Sequence, residues 1–248
     1  MTEEKKRVIF HMKLAGLVIR IEAIYDYIKE YCQEYITEEV ACYTVRIEPS
    51  DIAYERGRSK EEQEGVVFSD AYLETLAVYR KIAEWMPLHA VLLFHGSAIA
   101  VDGNGYLFTA KSGTGKSTHT RLWRQCFGER AVMVNDDKPL LEVTETGVMV
   151  HGTPWNGKHR LSSNVTVPLK AICILTRDSK NHIEKITTGE AYAMLLQQCY
   201  RPADKQMMQR TLCLLDDLMQ CVSFYRLGCN MEPEAAIIAY EGMKGEAG

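Results

Sequence analysis

Short apolar runs broken by turn residues dominate the first fifty positions. Val8 to Met12 and Leu17 to Ile21 flank Ala15-Gly16, the pattern of two strands joined by a tight turn. Ile24, Tyr27, Ile28, Tyr31 and Tyr35 then recur at helical spacing, and Cys42 to Ile47 follows as a β-branched and aromatic strand. Together they predict a small β-β-α-β unit. Asp51 to Gly65 is rich in charge, with Glu61-Glu62-Gln63-Glu64 in its middle, and reads as a mobile surface linker. A helix from about Ser69 to Trp85 carries Leu73, Leu76, Ala77, Ile82 and Trp85 on one side and stops before Pro87. On this reading the main domain begins with that helix, which divides the chain into residues 1–68 and 69–248.

Further on, Val91 to Val101 reads as one long apolar strand, Asp102-Gly103-Asn104-Gly105 as a tight turn, and Tyr106 to Thr109 as a returning strand. A glycine-containing loop follows, then a helix from Lys116 to about Phe127 stopped at Gly128, and a buried strand from Ala131 to Val134. Leu140 to Val143, Val148 to His151, Ala171 to Thr176 and Ile183 to Ile186 are further strands. Gly189 to Gln198 and Lys205 to Met219 are helices, followed by a strand at Val222 to Leu227 and a last helix from Glu232 to Met243. Strands and helices mixed in this order predict an α/β (mixed α+β) fold.

Composition narrows the class without naming a function. The 248 residues are 46% hydrophobic and 25% charged, close to an average folded domain. A net charge of -4 gives no general attraction to nucleic acid or anionic membrane, so a phosphate ligand needs a local site. No window has the length and apolarity of a membrane span, and the apolar run after Met1 to Arg7 is too short for a signal peptide, so a cytoplasmic location is expected. Eight cysteines occur without any C-x-x-C pair and read as reduced thiols; Cys213, Cys221 and Cys229 read as core packing in a buried segment.

The loop is where chemistry enters. Backbone N–H groups converge on a phosphate only where side chains do not block the approach, and Ser112-Gly113-Thr114-Gly115-Lys116-Ser117-Thr118 lies between a strand and a helix N-terminus. Lys116 would set its ammonium against the β- and γ-phosphates of a nucleotide, and Ser117 would offer a hydroxyl to a bridging Mg²⁺. The pattern G-x-x-x-x-G-K-[ST] is met except at its first position, which is Ala110. A plain glycine turn with Lys116 on a solvated helix face is the competing reading.

The strand ending at Val134 runs into Asn135-Asp136-Asp137-Lys138-Pro139, which brings two carboxylates to its end beside the loop. Asp136 is assigned to the metal and Asp137 to a general base, an order the residues alone leave open. The strings that mark guanine-specific switches and eukaryotic-type protein kinases are absent. Thr153 to Arg160 joins a Pro-Trp pair, Gly157 and three basic residues, so Lys158 and Arg160 are candidates for binding the acceptor or a phosphate. Trp155 reads as a packing anchor, Arg201 as a basic residue within reach of the nucleotide, and His119 and Arg121 as surface positions.

His95-Gly96, a short hairpin, Ser-Gly-Thr-Gly-Lys-Ser, a helix and then Asp136-Asp137, over about Leu92 to Leu141, together resemble the HPr kinase/phosphorylase family. That family shares its catalytic fold with the phosphoenolpyruvate carboxykinases. The resemblance implies a P-loop catalytic domain of that type, with a strand histidine near the phosphates and paired aspartates serving metal and base, which carries over to His95, Asp136 and Asp137. It also implies ATP and Mg²⁺ as cofactors and a kinase acting on a hydroxyl. The family's glycine-rich signature downstream of its acids is replaced here by Gly152-Thr153-Pro154-Trp155-Asn156-Gly157-Lys158-His159-Arg160, so HPr is not implied as the substrate. Similar divergent proteins include tailoring kinases of peptide hydroxyls, which points to a peptide, protein or small-molecule acceptor. A nucleotide-binding regulator or sensor without phosphotransfer is the alternative. No nucleic-acid or membrane partner is expected, and homo-oligomerisation stays open.

Overall fold

The computed structural model of the protein describes residues 7–62 and 67–245, with the side chains of 59–62 left aside. The opening residues Met1 to Lys6 and the end of the charged stretch, Gln63 to Val66, lie outside the described residues. The chain divides into two compact units, Met1–Trp85 and Met86–Gly248.

In the first unit, strands β1 (Val8–Leu14) and β2 (Leu17–Ala23) pair antiparallel across Ala15-Gly16, both at positive φ, which is the turn that matches strand twist. A short helix α1 (Tyr27–Tyr31) and one 3₁₀ turn lead to β3 (Tyr43–Arg46), which joins β2 in parallel. The β-β-α-β reading holds, and the linker reading does not. Pro49 to Glu62 form a helix, α2, packed on α3 (Asp70–Trp85). Among its described side chains, Asp51 and Glu55 are paired rather than solvated. Arg80 of α3 bonds Glu55 at 2.6 Å and approaches Asp51 at 3.4 Å, while Lys81 meets Asp51 at 2.7 Å. The helix start is set by Pro49 in the first turn and by Asp51, whose carboxylate accepts from the Glu48 N–H.

In the second unit the described residues form a sheet ordered β4 (Val91–Leu93), β8 (Leu140–Thr144), β9 (Gly147–His151), β10 (Thr166–Arg177), β6 (Asn104–Thr109), β5 (Ser97–Val101) and β7 (Ala131–Asn135). Two more strands, β12 (Ser223–Cys229) and β11 (His182–Ile186), extend it from β10. Here β10 is the hub. Its first residues pair antiparallel with β9, and the rest runs parallel to β6 on one side and β12 on the other. The single apolar strand expected from Val91 to Val101 is instead two. At Phe94-His95-Gly96 the chain leaves β8, the partner of β4, and enters the pairing of β5 with β6 and β7.

The central strands are apolar on both sides because helices cover both. Along β10, Ile172 and Ile174 join a core with Ala191 and Leu195 of α5 (Thr188–Gln198) and Leu215 and Leu218 of α6 (Lys205–Cys221). The alternate residues Ala171, Cys173 and Leu175 join a second core with Trp123 of α4 (Lys116–Phe127) and Ala235 and Ala239 of α7 (Glu234–Met243). Trp123 is fully buried among Tyr106, Phe108, Phe127 and Tyr240, which fixes α4 against the sheet. Burying one such side chain contributes about 1.5–3 kcal/mol. Cys213 and Cys221 depart from the expected core packing, since both are on the solvent side of α6. No helix among the described residues is long and apolar enough to cross a membrane.

Candidate nucleotide and phosphotransfer site

Strand β6 feeds the loop Ala110 to Gly115 directly into α4. Gly113 and Gly115 have φ of 76° and 124°, conformations that strain any residue with a Cβ. The first backbone N–H groups of α4 have no carbonyl one turn earlier within the helix, so they remain donors for an anion, and the helix dipole adds to the attraction. Lys116 is only 9% exposed, and its Nζ donates to the Ala110 carbonyl at 3.2 Å. The residue that departs from the motif thus still supplies the backbone oxygen that folds the lysine back over the loop. Burial lowers the Lys116 pKa, while Asp137 and Asp136 act to raise it.

The two acids have different surroundings. Asp136 is buried, and its Oδ1 accepts from Ser97 Oγ at 2.6 Å; Ser97 in turn lies 3.0 Å from Thr120 Oγ1 of α4. Burial raises the Asp136 pKa, and hydrogen bonds from Ser97 and Ser117 and the nearby His159 oppose the rise. Ser117 and Asp136 therefore meet across the junction of α4 and β7. Asp137 is half-buried, with Oδ1 at 3.4 Å from His95 Nε2 and Oδ2 at 4.0 Å from Lys138 Nζ. His95 stands in the break between β4 and β5, where its N–H donates to the Gln198 carbonyl at 2.8 Å. Burial and the Lys116 charge lower the pKa of its ring, against the raising effect of Asp137 and a Gln198 hydrogen bond.

Asn135 sets the turn that separates the acids. Its Oδ1 accepts from the N–H of Asp137 at 2.9 Å and of Lys138 at 2.6 Å, and its Nδ2 donates to Thr153 and Trp155. The segment after β9 is thereby tied to the acids. Gly152 allows the crossing: a Cβ there would stand 1.9 Å from the Ser163 carbonyl oxygen. A Cβ on Gly157 would lie 3.2 Å from Asp137 Cβ, so the loop passes directly over this carboxylate. Lys158 and Arg160 are exposed beyond Gly157, and Trp155 is buried as a packing residue.

The structure brings Lys116, Ser117, Asp136, Asp137 and His95 to one place and sets the 152–163 segment over it. Arg201 is exposed. His119 is not a surface residue, being 2% exposed against Phe108 and Trp123, whereas Arg121 is exposed as expected. Arg177, at the end of β10, went unread in the sequence. Its guanidinium donates to the Gly113 and Thr114 carbonyls from outside the loop. Nothing near Arg177 in the sequence signals this, because the contact depends on β10 lying beside β6.

The described residues contain no group of three or more His, Cys, Asp or Glu arranged to hold a metal. A Mg²⁺ carried with a nucleotide needs fewer protein donors, and the hydroxyl and carboxylate oxygens of Ser117 and Asp136 are the hard donors that ion takes.

A search of curated proteins finds no match to the chain. Among solved structures it is similar to the HPr(Ser) kinase/phosphatase of Coxiella burnetii, with 10% identity, a TM-score of 0.34, and coverage of 62% of this chain and 99% of that one. The family model of SynChlorMet cassette protein ScmC matches residues 60–227, taking in the loop, both acids, the 152–163 segment and Arg177. The chain belongs to the family of SynChlorMet cassette protein ScmC.

Proposed function

We propose that the protein is an ATP-dependent, Mg²⁺-requiring kinase that moves the γ-phosphoryl group to a hydroxyl of a peptide, protein or small-molecule acceptor. The observation that carries this reading is the set of groups around the loop: a buried Lys116 folded over it, a buried Asp136 held by Ser97 beside Ser117, and Asp137 at 3.4 Å from His95. In this reading the Ser112 to Thr118 backbone holds the phosphates, and Lys116 stabilises charge on the transferring group. Ser117 and Asp136 would hold Mg²⁺, which would supply neutralisation of the nucleotide's phosphate charge. Asp137 accepts the proton of the acceptor hydroxyl as its oxygen attacks phosphorus and the bond to the β-phosphate oxygen breaks. His95, kept neutral near pH 7 by its lowered pKa, orients Asp137. Lys158 and Arg160, on the segment that crosses Asp137, face an acceptor bearing negative charge.

The different settings of the carboxylates support the order metal for Asp136 and base for Asp137. A base must reach solvent-borne acceptor, and Asp137 is the more accessible of the two. The test is transfer of label from γ-labelled ATP to candidate peptides and polyols by the purified chain. Lys116→Ala should lower kcat by about 10²–10³, the loss typical of one charge-stabilising donor. A regulator that binds ATP without transfer would show no labelled acceptor and unchanged ATP affinity in Asp137→Asn.

A further inference from the structure

Where β4 begins, at the end away from His95, the surface has a concave feature that the proposed phosphate chemistry does not use. An open groove of about 670 Å³ lies between the turn Met86–His89 and the first half of α6. Pro87, Leu88 and Leu214 supply its apolar part, and Gln206, Gln209 and Arg210 of α6 form a polar wall. These three share a wall because positions three and four apart lie on one face of a helix. Leu88 is 45% exposed, an apolar side chain left at a concave surface. Because α6 packs on both the turn and β4, the groove belongs to the same compact unit as the site.

The charge of Arg210 has no carboxylate to meet it. Arg7, Arg46, Arg56, Arg80, Arg130 and Arg226 each pair with an Asp or Glu, whereas Arg210 has no ion pair among the described residues. Asp204, at the start of the same helix, is already committed, since its Oδ1 accepts from the Gln206 and Met207 N–H groups. A guanidinium in this state takes carboxylates, and its planar fork favours two parallel hydrogen bonds to one of them. The amides of Gln206 and Gln209 each offer an acceptor and two donors, the set that the N–H and C=O groups of a peptide require.

We propose that this groove docks an extended acidic segment of a peptide acceptor, with a carboxylate on Arg210, backbone groups on Gln206 and Gln209, and an apolar side chain against Leu88 and Leu214. The inference rests on the kinase reading given above, which it narrows from any hydroxyl compound to a peptide. The fold links the two places. Ala90 lines the groove and His95 faces Asp137, with β4 between them. Five residues of extended chain span about 16 Å, so a peptide of modest length reaches from one to the other. The far end of β4 is fixed, since the Leu93 carbonyl accepts from the Tyr200 N–H at 2.9 Å and Phe94 bridges to Cys199. Openness favours a peptide over a small anion, because small-molecule sites bury most of their ligand and a groove open along one side does not.

The experiment uses the full chain and a set of peptides with one serine in an alanine-glycine background and a Leu-Glu pair at graded distances from it. Transfer from γ-labelled ATP is expected to show its lowest KM at a spacing of about five to eight residues, the length of extended chain that spans β4 and reaches beyond it. Fluorescence anisotropy of the same peptides, labelled with fluorescein and titrated without ATP, reads binding apart from transfer. Arg210→Glu should weaken binding and raise KM by about threefold to tenfold, and a Leu-Lys pair should restore both in that variant. Should Arg210→Glu fail to fold, Cys213→Trp, which fills the groove from an exposed helix position, carries the test with the same loss expected. Binding without transfer would overturn the kinase reading for peptides and sustain the groove. Transfer that ignores the acidic pair, or binding indifferent to both variants, would overturn the groove and spare the kinase reading. Dimers in sedimentation that Arg210→Glu dissociates would assign the groove to a second copy and overturn the peptide.

Discussion

Asp136 and Asp137 are adjacent in the chain yet differ in burial, and that difference separates their roles. Asp136 has its pKa raised, chiefly by burial, so the folded chain holds its proton more tightly than the unfolded chain does. Stability from this group is present at low pH and lost as pH rises through the folded pKa. Without metal, Asp136→Asn should therefore raise Tm at neutral pH, and the same substitution should abolish the Tm increase produced by MgATP. Asp137→Asn should instead leave Tm unchanged and lower kcat by roughly 10²–10⁴, the usual contribution of a general base. His119 behaves as the reverse of Asp136. Its pKa of about 3 lies below the unfolded value, so its contribution is complete above about pH 6.5 and is lost as pH falls. Between pH 6.5 and 5 this amounts to on the order of 2 kcal/mol, and urea titrations of His119→Phe should lack that part of the slope. The sequence shows that Asp136 and Asp137 end a strand, because an apolar run stops at them. It does not show which one is buried, since that depends on Ser97 and Ser117 arriving from other elements. The burial of His119 is hidden for the same reason, as its neighbours Phe108 and Trp123 meet it only once α4 lies on the sheet.

At the level of elements, the loop and α4 were legible because their chemistry is local: glycines, a lysine and a helix start in one short string. The break at Phe94 to Gly96 was not, because uninterrupted apolar sequence reads alike whether a strand keeps its partners or exchanges them. Exchange is what turns His95 out of the ladder toward Asp137. Charge misled the reading of α2 as well, since Asp51 and Glu55 find their partners on α3 rather than in water. Arg177 is the element-scale contact with the clearest consequence. Its guanidinium occupies the Gly113 and Thr114 carbonyls, which fixes the loop that the proposed kinase would use for phosphate. Arg177→Ala should weaken ATP and tripolyphosphate alike, by roughly tenfold, with little change in Tm. The crossing at Gly152 is a harder constraint: Gly152→Ala must displace Ser163, and a urea titration should register a loss of about 3 kcal/mol or more.

For the whole molecule, the site lies within Met86–Gly248, and so do Trp123 and Trp155, while Trp85 belongs to the other compact unit. Thermal unfolding followed by fluorescence in a Trp85→Phe variant should report the site's own unit, with MgATP at 100 times Kd adding about 2.7 kcal/mol to its stability. The sheet hub adds a kinetic consequence. Ile174 of β10 pairs with Thr109, the last residue before the loop, and with Arg226 of β12, each more than fifty positions away in the chain. Such distant pairings close late in folding, because chain entropy is lost before the contacts that offset it are made. Helices can regain their signal early, but the loop is gripped by Arg177 only after β10 has docked beside β6. In refolding, the ATP binding proposed above is therefore expected to return in a slower phase than far-ultraviolet ellipticity, and a nascent chain released before β12 would have its glycine loop without the strand order that supports it.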